Sequence, residues 1–458
     1  MANLITSLHC IIIILLSITS AEAQTVHADS SALQAKELYL PDTVWNVPER
    51  NNYADSSSEF SFHHMAASEN IAAFWSKMFG DNPMNNPDSI KRFEIKYALK
   101  ECERFYNVYV NQLKFVDKGN SLTDKYKILL YIVAGNDGTA YGGGEDKKIG
   151  ILWTPPARMN KPPYGALAHE LGHSFQYLLN ADGHWAFTSA PEGSYGQTIF
   201  EMTSQYMLWQ VYPQWMTFEN YHLEAFMKQT HYAFLHESNQ YHSPYVLEYW
   251  SDKHGVEFIG KLWKNAREGE DPVMAYKRLT SITQNEFNDE IFDAARKFVT
   301  WDLNRIREVA SPYANQHFTK LDSIKDGWYQ IAQSKCPQNY GYNAIKLKVP
   351  AKKKVIINFQ GLDKAEGFRS IQSDKAGWRY GFVAVKENGE RVYGKTFSTK
   401  AGRVKFDVPA NTKYLWFVVS GAPTEHWQHI TDGKDETDEQ WPYKIKVSGS
   451  SPDRDMIN

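Results

Sequence analysis

His169, Glu170 and His173 stand in the segment Ala168-His169-Glu170-Leu171-Gly172-His173. On a helix, two histidines four residues apart lie on one face, one turn apart. Each can aim a ring nitrogen at a single ion. Zinc accepts imidazole nitrogen at about 2.0–2.1 Å and keeps a position open for water. Glu170, beside the first histidine, can take the proton of that water as it attacks a carbonyl. The spacing is a geometric demand, because one residue more or fewer would turn an imidazole away. A surface helix with two solvated histidines is the plainer alternative. Leu167, Leu171 and Phe175 argue against it, since they give the helix an apolar stripe.

A catalytic zinc needs a third protein ligand. The metzincin continuation would require glycine at position 176 and histidine at 179, where this chain has Gln176 and Leu179. That class is excluded. The other common solution is a glutamate on a following helix, and two candidates exist. Glu201 lies in Phe200-Glu201-Met202-Thr203-Ser204-Gln205-Tyr206, with the small Ser204 one turn on to let two helices approach. Glu192 lies in Pro191-Glu192-Gly193, beside two helix-breaking residues. Glu201 is the expected ligand and Glu192 the alternative, the loser being a supporting or capping carboxylate. An oxyanion at the metal would want one more donor. Tyr241 is the expected one; Tyr206, His231 and Tyr245 compete, each with a core role as its plainer reading.

The elements around these residues follow from periodicity. Apolar residues at Ile71, Phe74, Trp75 and Met78 have helical spacing, and 95–113 reads as a further helix. Residues 127–134 and 150–154 read as buried strands, with a glycine turn at 142–144 between them. Helices are expected over 166–179, 198–211, 219–235, 244–267 and 284–305. Past residue 335 the pattern changes to short alternating runs from 344 to 447, with Asn388-Gly389 as a hairpin turn. The expected class is α+β: a zincin-like catalytic domain of small mixed sheet and helices over 61–330, then an antiparallel β-sandwich over 335–448. Residues 24–60 are expected as an arm or linker and 449–458 as a disordered tail.

At the start, 11–16 is a short apolar run and Ala21-Glu22-Ala23 offers a cleavage site. The reading is a signal peptide over 1–23 and a secreted or periplasmic protein. No later segment is long and apolar enough to span a membrane. Net charge is −3, so nothing points to nucleic acid. Cys102 and Cys336 remain past the leader; buried free thiols are expected over a disulfide.

The runs HELGHSFQY and FEMTSQYMLWQVYP, the stretch 378–385 and the stretch 416–423 resemble a domain-of-unknown-function family of secreted bacterial proteins. The resemblance covers about 60–447. The family is similar in motif to gluzincins, including enhancin-like peptidases, which also carry glutamine three residues past the second histidine, here Gln176. In gluzincins the third ligand is a glutamate with a small residue at +3 and often an aromatic at +5. Glu201, Ser204 and Tyr206 match that pattern. Glu192 is followed by Gly193 but has Tyr195 at +3, a poorer match. The resemblance implies a fold and a metal more firmly than a substrate.

These readings lead to a zinc metallopeptidase acting on extracellular protein or glycoprotein through a zinc-activated water, with the strand at 150–154 as the edge along which substrate pairs. A glycan- or host-surface-binding protein with a structural or vestigial metal is the alternative. Its motive is Trp378, Trp416, Trp427 and Trp441, which could stack on sugars, although sandwich core is their plainer role. Such stacking would give glycan contact through the C-terminal region. An amidase acting on cell-wall peptides is a third reading.

Overall fold

The computed structural model describes residues 35–135, 138–351 and 353–458. The expected signal peptide lies outside the described residues. Contacts gather Lys36–Asn458 into one unit.

The first sheet holds β1 (Met65–Ala67), β2 (Ile71–Trp75), β3 (Ile128–Ile132), β4 (Tyr141–Glu145) and β5 (Ile149–Thr154), in the order β1-β2-β3-β5-β4. β2, β3 and β5 run parallel; β1 and β4 are antiparallel to their neighbours. Two expectations fail here. Ile71–Trp75 is a strand rather than a helix, and all five of its residues are buried. A central parallel strand is covered on both faces, so it reads as a continuous apolar run that mimics helical spacing. Residues 142–144 are strand rather than turn, since Gly142 pairs with Leu152 and Gly144 with Gly150.

Helices cover one face of this sheet, packing on Ala73, Leu130 and Leu152. The other face, with Phe74, Tyr131 and Trp153, is covered by Val44 and Phe60 from the segment expected as an arm. The helices are α1 (Ile95–Asn107), α2 (Leu122–Lys125), α3 (Gly165–Ala181), α4 (Ile199–Val211), α5 (Trp215–Phe218), α6 (Asn220–Gln229), α7 (Tyr245–His254), α8 (Phe258–Lys264), α9 (Pro272–Thr280), α10 (Gln284–Phe298) and α11 (Arg307–Ala310). The helix expected over 244–267 is two, broken at Gly255, whose φ of 99° suits glycine.

Two further sheets follow. One has the order β11-β10-β13-β8, from β8 (Tyr342–Leu347), β10 (Trp378–Lys386), β11 (Arg391–Tyr393) and β13 (Thr412–Gly421). The other has the order β12-β9-β14-β7-β6, from β6 (Leu321–Ile324), β7 (Trp328–Ile331), β9 (Lys354–Gly361), β12 (Ala401–Asp407) and β14 (Tyr443–Ser448). All their pairings are antiparallel. Sequence periodicity missed β6 and β7, which precede the composition change. The two sheets share a core of Phe359, Tyr380, Phe382, Phe417 and Tyr443.

The four-stranded sheet is buried on both faces. On β13, Leu415, Phe417 and Val419 enter the core between the sheets, while Trp416 and Val418 enter the helical core. Trp378, Trp416 and Trp441 are therefore buried and cannot stack on sugars; Trp427 packs against the core partly buried. Residues 449–458 return to the sheets: Pro452 bridges Leu347 and Met456 is buried. Cys102 and Cys336 are free and buried.

Candidate metal centre

α3 carries the two histidines and runs through the core, with Leu167, Leu171, Phe175 and Leu178 buried. β4 crosses directly over it. A β-carbon at Gly142 would stand 2.2 Å from the Glu170 carbonyl oxygen and 2.8 Å from His173 Cβ. At Gly144 it would stand 2.1 Å from the Tyr177 ring. The glycines therefore let the edge strand lie against the helix without side chains between. α4 reaches α3 by a similar device, since a β-carbon at Gly172 would meet Ser204 Oγ at 2.9 Å. The small Ser204 does allow close approach, and it delivers Glu201.

Three ligand atoms converge. Glu201 Oε2 is 3.0 Å from His169 Nε2 and 3.1 Å from His173 Nε2, and the two nitrogens are 3.1 Å apart. Around a tetrahedral ion with bonds of about 2.0–2.1 Å, ligand atoms stand about 3.3 Å apart. The triangle thus matches one face of such a tetrahedron to within a few tenths of an ångström. The donor set, two imidazoles and a carboxylate, suits zinc.

The polar partners fix the imidazoles. Gln176 Nε2 donates to Phe200 O (2.9 Å) and Ser204 Oγ (3.1 Å), so its Oε1 must face His173 Nδ1, at 2.9 Å. Gln205 Nε2 donates to Tyr241 O (3.0 Å), and its Oε1 faces His169 Nδ1 at 3.2 Å. An amide oxygen only accepts, so each Nδ1 carries a proton, and each Nε2 is left as the nitrogen that faces Glu201 and could turn a lone pair to an ion. Burial opposes a charged His173, yet hydrogen bonding and charge from Glu201 hold its pKa up at about 9. Burial would raise Glu201, but the two imidazoles keep it well below the usual carboxylate range. Glu170, buried on the same helix, is raised by burial against the pull of both histidines, which suits a group that accepts a proton and passes it on.

The centre lies in the wall of a cavity of about 1000 Å³, which Glu170, Gly142, Arg158, Glu219, His222 and Tyr241 also line. Tyr241 packs its ring 6.1 Å from that of His169. Burial, then the Glu201 charge, raises its phenol, so it stays a neutral donor. The competing donors lie elsewhere: Tyr206 is buried against Ser251 Oγ at 2.6 Å, and Tyr245 and His231 are buried outside the cavity. Glu192 is exposed in a turn and does not join the three. β5 has both edges paired, to β3 and β4, so the expected pairing of substrate along 150–154 is not available; β4 is the edge strand on this side of the sheet. Sequence reasoning missed Gln205, Arg158 and Glu219; His222 is one of several histidines that compete for a place there, with His184, His236 and His254, and it does line the cavity. Of the three missed, only Gln205 left a signal, four residues past Glu201 on the same helical face.

A family of unknown function, DUF6055, matches residues 30–454. The chain belongs to this family. No curated protein matches the sequence. Among solved structures, the chain is similar to the M60 catalytic domain with the CBM51-1 and CBM51-2 domains from Clostridium perfringens ZmpB, at 9% identity and a TM-score of 0.30. That alignment covers 86% of this chain and 60% of the other, so this DUF6055 chain spans less than two thirds of its neighbour.

Proposed function

We propose that the protein is a secreted or periplasmic zinc-dependent peptidase acting on extracellular protein or glycoprotein. The observation that carries this reading is the convergence of His169 Nε2, His173 Nε2 and Glu201 Oε2 beside the buried Glu170, in a cavity open along a strand edge. A zinc ion held by these three residues would supply Lewis acidity to the substrate carbonyl and make water acidic. The chain's own groups do the rest. Glu170 takes the proton of the attacking water and returns it to the leaving nitrogen. Tyr241, held neutral, donates to the oxygen that gains charge. β4 offers its edge to an extended peptide. Gln176 and Gln205 keep both imidazoles in the ligating tautomer.

The test is cleavage of unfolded protein and glycoprotein mixtures by zinc-loaded protein, read by mass spectrometry. Glu170→Gln should keep its zinc and lose roughly 10²–10⁴ in rate. A metal-loaded Glu170→Gln that cleaves as fast as the parent would sink the reading.

A further inference from the structure

We infer that Arg158 selects substrates bearing a carboxylate close to the scissile bond; this rests on the peptidase reading above. The cavity is divided by charge. α3 and α4 bring Glu170 and Glu201 to one wall, and Glu219 stands just before α6. The segment 157–163 brings Arg158 and Lys161 to the cavity as well.

The acids are already engaged. Glu201 is held between two imidazoles, and Glu219 Oε2 accepts from Trp215 Nε1 at 2.6 Å. Glu170 is buried beside them. Among the described residues neither Arg158 nor Lys161 forms an ion pair, and both are exposed to the cavity. Arg158 Nε donates to the Gly138 carbonyl, which ties the guanidinium to the backbone. Its two Nη groups make no hydrogen bond among the described residues. A guanidinium anchored at Nε with both Nη groups free presents a planar fork to a carboxylate. It lines the same cavity as His169, Glu170 and His173, and its charge acts on Glu170 and Glu219. A cationic substrate group there would meet an unneutralised positive pair, whereas an aspartate, glutamate or terminal carboxylate would complete it.

The experiment uses zinc-loaded protein and peptide hydroxamates that extend to either side of the zinc-binding group. Each is made with glutamate and with the matching glutamine, in turn at every position. Affinities are measured by calorimetry for the parent, Arg158→Gln and Arg158→Glu. At one position the parent should prefer glutamate by roughly 10- to 100-fold. Arg158→Gln should bind the glutamine ligand as the parent does and lose the preference, and Arg158→Glu should reverse it. Parity between glutamate and glutamine at every position in the parent overturns the inference alone, as does a preference that Arg158→Gln retains. Absence of binding by every hydroxamate overturns the peptidase reading and this inference together.

Discussion

Gly142 lies over Glu170 so closely that a β-carbon on it would come within 2.2 Å of the Glu170 carbonyl oxygen. The edge strand and the helix that carries His169 and His173 are thus in close contact. Gly142→Ala must push β4 outward or tilt α3. Overpacking of this kind costs about 1–3 kcal/mol. The expected result is a lowered melting temperature together with weaker zinc binding. Gly143→Ala, where a β-carbon would meet nothing within 4 Å, should leave both unchanged and is the matched control.

Glu201→Gln should weaken zinc binding strongly, because the amide replaces a charged ligand that touches both imidazoles. Glu192→Gln should bind zinc as the parent does. Zinc competition against a chromogenic chelator separates the two. Loss of metal in the Glu192 variant alone would overturn the ligand assignment.

Removing the Gln205 side chain frees His169 Nδ1 of its acceptor. Partners of this kind typically contribute 10–100-fold in metal affinity. Gln205→Ala should show a zinc affinity lowered by roughly that factor, with the fold retained by circular dichroism. Gln176→Ala should act likewise through His173, with an added loss of stability because its amide also ties Phe200 O and Ser204.

One buried acid, Glu248, should take stability away as pH rises from about 4.5 to 7. Burial pushes Glu248 up to about 7 from 4.5, against the opposing charge of Arg305. Below about pH 4.5 both folded and unfolded chains hold this proton. Between the two values only the folded chain does, so stability is lost across that window and is not regained above it. The loss is on the order of 3 kcal/mol. Glu248→Gln should therefore be more stable than the parent at pH 8 and equal to it near pH 4.5, by denaturant unfolding at each pH.

The triad was legible because its requirement is local: a helix repeat sets His169 against His173, and a small Ser204 signals the crossing that brings Glu201. What escaped depends on neighbours distant in sequence. Gly142–Gly144 look like a turn unless one knows that Tyr177 and Glu170 lie beneath them. Ile71–Trp75 look helical until the strand is seen to be covered on both faces. Arg158 and Glu219 have no motif at all, since only folding brings them to one cavity. The C-terminal strands were readable from alternation, but alternation did not reveal that Trp416 faces inward to the helices.

β13 has no idle face, and that limits how this family can be inherited. Its two rows of side chains serve two cores at once, so neither the helices nor the sheets can be exchanged as a cassette. A gene fragment ending before Tyr342 would leave Phe226 and Phe298 without the ring that lies 6.4 and 6.3 Å from them. Such a fragment would present a bare apolar wall and stick to its own copies. Drift on either side of β13 must be answered on the other, so the two halves should change together across the family.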